Sequence, residues 1–278
     1  MEYIDLHMHT FYSDGTDDPK ALVRSARLNG IDVMAITDHD IMTGYFDAKP
    51  EADKWGIKLI PGVEISTEKY HILGLNVNPS NENLQNFLAK VRSFQEATCI
   101  GRIEILARHG IPISLDKLKN SFPNSRLGKY NVFMTMMQDE ECRNYLHKNH
   151  PNESPYEIFG IYLKKDGIAG TFNEKYDVPP REAIKAIHGA GGIAIIAHPF
   201  KNVDDMSEMD VLVNLGLDGV EIQPNYGDKN IPYRKYALEN NLLMTYGSDF
   251  HGPSMPRPLL KRGENKVDTE KLLKGGSR

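Results

Sequence analysis

Apolar and polar positions along this 278-residue chain follow two rhythms. Up to residue 78, short apolar runs alternate with amphipathic stretches. Tyr3-Ile4-Asp5-Leu6 has the length and composition of a strand, and Asp18-Pro19 opens a helix carrying Ala21, Leu22, Ala26 and Leu28 that Gly30 ends. Residues 33–36 predict a second buried strand, 48–55 a helix ended by Gly56, and 58–60 and 71–75 two further strands. From Asn83 to about Tyr176 the spacing turns helical (Phe87, Val91, Phe94, then Ile103, Leu106, Ala107) and no strand pattern is visible. Strand–helix alternation returns at Val178, with a helix over 181–188 and strands over 193–197, 219–222 and 243–246. Such alternation predicts parallel strands in an α/β fold. The expected architecture is an α/β barrel of residues 1–82 and 177–278, interrupted by a mostly helical insertion, 83–176, of the kind that caps a site.

Composition adds little to this picture and removes several functions from it. At 40% hydrophobic and 26% charged residues the chain can bury a large core without staples. Cys99 and Cys142 match no metal or redox spacing and are expected as reduced thiols. The N-terminal residues lack a basic and apolar leader, and no apolar run is long enough to span a bilayer, so a cytoplasmic chain without a membrane partner is expected. A net charge of −5 argues against a surface for duplex nucleic acid. It leaves room for a small anion held by a local positive centre such as a metal cluster.

The candidate chemistry gathers where the predicted strands end. His7 and His9 follow the first strand, and i, i+2 spacing puts both imidazoles on one face. With 10 histidines in the chain an HxH triplet arises by chance roughly 0.4 times, so it needs company. Asp14 lies in the same loop, Asp38-His39-Asp40 ends the second strand, Glu64 follows the third and His198 the strand over 193–197, while Asp249 and His251 follow the last. His71, at the start of its strand, is the exception. Carboxylates and imidazoles collected at C-terminal strand ends are how α/β barrels assemble active sites. Asp38 and Asp40 flank His39 and are candidates to orient it. His109 and His188 end helices before glycine and are expected to be structural, His147 and His150 to be solvated. The glycine run 189–192 sits between helix and strand, the reverse of a dinucleotide loop.

Taken together, Asp5-Leu6-His7-Met8-His9-Thr10, Ser13-Asp14-Gly15, Thr37-Asp38-His39-Asp40, Gly62-Val63-Glu64, Ala197-His198-Pro199 and Gly247-Ser248-Asp249-Phe250-His251 resemble the PHP (polymerase and histidinol phosphatase) superfamily. The resemblance covers residues 1–78 and 178–252, and the large insertion is similar to the branch that dephosphorylates nucleoside 3′,5′-bisphosphates and trims RNA 5′ ends. It implies a distorted (β/α)7 barrel holding three divalent ions, manganese, zinc or iron. It assigns His7, His9 and Asp249 to one ion, His71 and His198 to a second with Glu64 bridging the two, and Asp14, His39 and His251 to a third. That branch carries a Gly-Arg-Pro-His motif in its insertion, where this chain has Gly128-Lys129-Tyr130-Asn131 with Arg126 close by. Lys129, Arg126 and Asn131 are the corresponding candidates for substrate contact, although lysine lacks arginine's two-pronged grip.

The expected activity is hydrolysis of a small phosphomonoester, a nucleotide first of all, by metal-bound hydroxide, with Asp249 and Glu64 holding the ions and His39 or His251 protonating the leaving oxygen. Three divalent ions against three carboxylates and a hydroxide leave such a cluster about two charges positive, which suits a phosphate dianion. The alternatives are a histidinol-phosphate phosphatase, an amidohydrolase-type C–N hydrolase and a non-catalytic metal-binding protein. A histidinol-phosphate enzyme would not need so large an insertion. Amidohydrolases bridge their ions with lysine rather than glutamate, and a degenerate relative would lack some of the nine ligands.

Overall fold

A computed structural model describes residues 3–170 and 178–253. Seven strands lie in chain order in one sheet: β1 (Ile4–Asp5), β2 (Val33–Ile36), β3 (Lys58–Ser66), β4 (His71–Leu75), β5 (Ile193–Ile196), β6 (Gly219–Ile222) and β7 (Leu243–Tyr246). The segments just after β1 and β7 close it into a barrel. Leu6 N–H donates to the Tyr246 carbonyl at 2.8 Å, Asp249 N–H to His7 at 2.9 Å and His9 N–H to Phe250 at 2.8 Å.

β1, β2 and β3 run parallel, as do β5, β6 and β7, but β4 is antiparallel to both of its neighbours. The expectation of an all-parallel sheet therefore fails at β4. Only residues 67–70 join β3 to β4, far too few for the crossover that a parallel neighbour requires. The chain instead turns back, Thr67 N–H donating to the Tyr70 carbonyl at 3.0 Å. His71 is thereby carried to the barrel end where the other strands finish. Its position at a strand's start, an exception in the sequence, is what an antiparallel strand produces.

The helices between strands form for local reasons. In α1 (Pro19–Leu28) the Asp18 carboxylate accepts from the Lys20 and Ala21 amides, Pro19 presets the first turn, and Leu22, Val23 and Ala26 make the buried stripe. α2 (Thr43–Trp55) begins five residues before the position expected from sequence. Its first turn contains Gly44 and lacks a side-chain cap, so local preference does not announce it; Tyr45 packing with Ala48, Ala52, Met34 and Ile36 holds it. Ile4, Val33, Val63, Ile65, Ile72, Leu73, Ile195, Val220 and Ile222 fill the larger core beneath the strands, with Ile184 and Ile187 of α8 (Pro180–Gly189).

Packing divides the chain into two units, Met1–Val91 with Val178–Arg278, and Arg92–Asp177. The second is helical. It takes the C-terminal part of α3 (Glu82–Arg108), then α4 (Leu115–Ser121), α5 (Lys129–Gln138), α6 (Glu140–Asn149) and α7 (Pro155–Leu163). Ser114, Asp139 and Ser154 cap α4, α6 and α7, and Tyr130, Phe133 and Phe159 cluster between α5 and α7. His150 is not simply solvated, because its Nε2 meets the Tyr162 hydroxyl at 2.7 Å. Three further helices, α9 (Pro199–Asn202), α10 (Ser207–Asn214) and α11 (Ile231–Glu239), lie among β5, β6 and β7. No helix among the described residues is long and apolar enough to cross a membrane.

Candidate metal centre

All nine sequence-predicted ligands meet at one end of the barrel. Their donor atoms fall into three overlapping groups in which every pair lies within 4.8 Å: His7, His9, Glu64 and Asp249; His9, Asp14, His39 and His251; and His39, Glu64 and His71. His198 joins through Glu64, whose Oε1 stands 3.0 Å from both His198 Nε2 and His71 Nδ1. The backbone prepares this convergence. The Asp40 amide donates to the Glu64 carbonyl at 2.9 Å, pairing the end of β2 with β3 and setting His39 beside Glu64. His198 (φ 30°) and Asp249 (φ 58°) both occupy the left-handed region, which non-glycine residues avoid and functional sites tolerate.

Glu64 is the centre of the arrangement. Its Oε2 lies 3.2 Å from His7 Nε2, 3.2 Å from His9 Nε2 and 3.3 Å from His39 Nδ1, yet it makes no hydrogen bond of acceptable geometry. Two imidazole nitrogens also face each other at 3.0 Å, His7 Nε2 and His9 Nε2. Nitrogen and oxygen atoms packed this closely need a proton or a metal cation between them. Imidazole nitrogens and carboxylate oxygens without a thiolate suit manganese, iron or zinc. The donor set therefore fits divalent ions.

Titration behaviour points the same way. Burial alone would drive His7 down, but Glu221, Glu64 and Asp249 hold it well above the usual imidazole range. At His9 burial is again outweighed, by the neighbouring carboxylates of Asp249, Glu64 and Asp14, and its pKa is pushed up to about 9. Burial opposes ionisation of Glu64 and Asp249, yet the surrounding cations (the histidines for Glu64, Lys201 and His7 for Asp249) hold both well below the ordinary carboxylate range. The folded site thus recruits positive charge from protons.

Several residues that sequence reading passed over complete the site. Glu221, on β6 and fully buried, accepts from His7 Nδ1 at 2.7 Å, which turns His7 Nε2 inward as the donor. Its other oxygen takes the His198 amide at 2.7 Å and Gln223 Nε2 at 3.1 Å. A lone carboxylate in a four-residue apolar strand was the available signal. Lys201 Nζ reaches Asp249 Oδ2 at 2.6 Å, leaving Oδ1 turned toward His7, His9 and His251. Gly247 is required where it stands, because a Cβ there would fall inside contact distance of Glu221 and His7. Asp38 does not orient His39. Its oxygens accept from the Thr10 amide (2.7 Å), the Thr10 hydroxyl (2.6 Å) and the Ser13 hydroxyl (2.7 Å), fixing the loop that carries Asp14. Asp40 takes the Ser66 amide and hydroxyl at 2.8 and 2.9 Å. Outside the site, His188 Nε2 meets Asp218 at 2.7 Å and His109 Nδ1 meets the Ile105 carbonyl at 2.8 Å, the structural roles expected.

In the helical unit the candidates are differently placed. Asn131 is 1% exposed, and its side-chain oxygen accepts the Gly128 amide at 2.8 Å, closing the first turn of α5. Lys129 is half-buried; burial and then the nearby Arg102 guanidinium push its ammonium down to about 8. A Cβ on Gly128 would press on the Arg126 guanidinium.

Residues 5–144 match the family described as PHP domain. A 5′-3′ exoribonuclease of Haemophilus influenzae is 32% identical over 259 residues, covering 90% of each chain. A 3′,5′-nucleoside bisphosphate phosphatase of Chromobacterium violaceum is 27% identical over 263 residues, covering 91% of this chain and 88% of that one. Among solved structures, one from Bifidobacterium adolescentis with the provisional description metal-dependent phosphoesterase superposes with a TM-score of 0.78 at 27% identity, over 98% of this chain and 96% of that one.

Proposed function

The chain belongs to the PHP domain family, and from that premise we propose that its barrel-end cluster holds three divalent ions and hydrolyses the phosphomonoester of a nucleotide or of a short RNA 5′ end. The protein is a metal-dependent phosphoesterase. The observation that carries the metal reading is Glu64 Oε2, ringed by three imidazole nitrogens within 3.3 Å with no hydrogen bond of acceptable geometry. In this reading His7, His9 and Asp249 would hold one ion and His71 and His198 a second, with Glu64 available to both, and Asp14, His39 and His251 would hold the third.

When bound, the ions neutralise phosphate charge and lower the pKa of water to about 7, which supplies a nucleophile at neutral pH. The chain's own groups do the rest. Glu221 and the Asp249 carbonyl, by accepting from Nδ1 of His7 and of His251 (both 2.7 Å), fix which ring nitrogen turns inward. Lys201 keeps Asp249 ionised and pinned by one oxygen. Burial holds His39 well below the usual imidazole range, so it offers a lone pair rather than a proton. In the insertion, Lys129 and Arg126 are the cations proposed to grip a substrate phosphate; Asn131 serves them by holding their turn.

The test is phosphate release by the manganese-reconstituted chain from adenosine 3′,5′-bisphosphate and from histidinol phosphate, each with a chelated control. Faster, chelator-sensitive release from the nucleotide is expected. Preference for histidinol phosphate would overturn the substrate, and activity on amides or lactones alone would overturn the reaction.

A further inference from the structure

Asp5 closes β1 two residues before the first ligand, and nothing in the metal reading uses it. Its side chain is fully buried, and a carboxyl in the interior is costly unless its oxygens meet donors. Oδ1 meets two: the His7 amide donates to it at 3.2 Å and the Ser248 amide at 2.9 Å. The first donor is the amide of a ligand. The second immediately precedes another ligand, Asp249, and lies 243 residues from Asp5 in the chain.

These two bonds lie on the seam where the barrel closes. β1 and β7 are the first and last strands of the sheet, and β1 is two residues long with its ladder to β2. Backbone bonds cross the seam on either side of Ser248, from Leu6 to the Tyr246 carbonyl and from Asp249 to the His7 carbonyl. Between them the Ser248 amide turns to the Asp5 carboxyl. Asp249, with φ 58°, leaves the extended conformation at that point, so a regular ladder cannot run on past it. A side chain can serve an amide where the ladder breaks.

We propose that Asp5 is a positioning residue for the metal centre: by receiving both amides on one oxygen it clamps the seam and sets the approach of His7 to Asp249. Nε2 of His7 and Oδ1 of Asp249 stand 3.4 Å apart, one from each side of the seam, and an ion held by both is sensitive to their spacing. The inference rests on the metal reading of the barrel end and extends it to a side chain outside the ligand set. Glu221 and Lys201 each orient a single ligand through its side chain, whereas Asp5 acts on the backbone that carries two. Ligands that shift slightly still coordinate, but less tightly, so the clamp is read in metal affinity rather than in the presence of the fold.

Manganese affinity is measured by calorimetry on the full chain in three forms, native, Asp5→Asn and Asp5→Val, each checked for folding by far-ultraviolet circular dichroism. Amide hydrogen exchange at Ser248 is followed by nuclear magnetic resonance in the same metal-free samples. Asp5→Val removes the acceptor and should bind manganese about 10- to 100-fold more weakly, with faster exchange at Ser248. Asp5→Asn keeps a side-chain oxygen of the same reach and should bind nearly as tightly as the native chain. Native affinity in a folded Asp5→Val chain would overturn the proposal and leave Asp5 a staple of the fold alone. An equal loss in Asp5→Asn would also overturn it, because the charge and not the clamp would then matter. Should Asp5→Val fail to fold, Asp5→Ser takes its place: its hydroxyl oxygen is one bond too short to meet both amides, so the same loss is expected and native affinity overturns the proposal. No manganese binding by the native chain would refute the metal reading and the positioning role with it; Ser248 exchange would still separate the two, since exchange unchanged in Asp5→Val shows that the clamp itself is absent.

Discussion

The barrel end and the helical insertion bury charge of opposite sign. At the barrel end Glu64, Glu221 and Asp249 are buried, and with Asp14 they raise His7 and His9 above the ordinary imidazole range. In the insertion Arg102 is 8% exposed, and it and burial together drive Lys129 down to about 8. The first region is suited to divalent cations; in the second, Lys129 carries the cost of a buried ammonium beside another cation.

Removing negative charge from the first region should have the largest effect. Asp249→Asn takes away a ligand with almost no change in volume, so phosphate release should fall by at least about 100-fold, above the usual loss for an outer partner, with an unchanged far-ultraviolet circular dichroism spectrum. Full activity in a metal-replete variant would show that the cluster is ornamental. Glu221→Gln comes next. It keeps a contact to His7 but not the charge, and manganese affinity measured by calorimetry should drop about 10- to 100-fold. Gly247→Ala should act on the same pair by crowding, destabilising the fold by about 1–3 kcal/mol in urea melts while also weakening manganese binding.

The second region predicts the opposite sign of response. Lys129 has a pKa of about 8 when folded, against an ordinary value of 10.5. The unfolded chain therefore holds more protons between those values, and stability should rise with pH from about 8 to 10.5. Below pH 8 the penalty is fully present. Lys129→Met should remove it, raising Tm at pH 7 by roughly 2–4 °C and flattening the alkaline rise. A lower Tm would mean that the ammonium already has its counter-charge. The same variant should weaken nucleotide binding if Lys129 grips phosphate, the usual exchange of stability for function.

Much of the barrel was legible because strand ends repeat a pattern. His7–His9 and Asp249–His251 show i, i+2 spacing, His39, Glu64 and His198 each follow an apolar run, and Asp14 lies in the loop after His9. The reversal of β4 was not read because the third strand was expected to end at residue 60, ten residues before His71; it runs on to Ser66 and leaves only four. Residues acting through others were harder. Glu221 reveals itself only when β6 is set beside β5 and β7, and Lys201 only when the turn after His198 points it at Asp249. Asp38 misled because it lies in the loop beyond β2, where its carboxylate serves Thr10 and Ser13 instead. In the insertion, Asn131 looked like a substrate contact and is committed to closing its own helix.

The central claim is that the barrel-end histidines and carboxylates bind divalent ions. Calorimetric titration of manganese into the metal-free chain at two pH values, in buffers of different ionisation enthalpy, tests it most directly. The account predicts about three ions per chain, bound with release of protons and more tightly as pH rises toward 9, the value reached by His9. Binding of no ion, or binding without proton release and with the same affinity at both pH values, would contradict it.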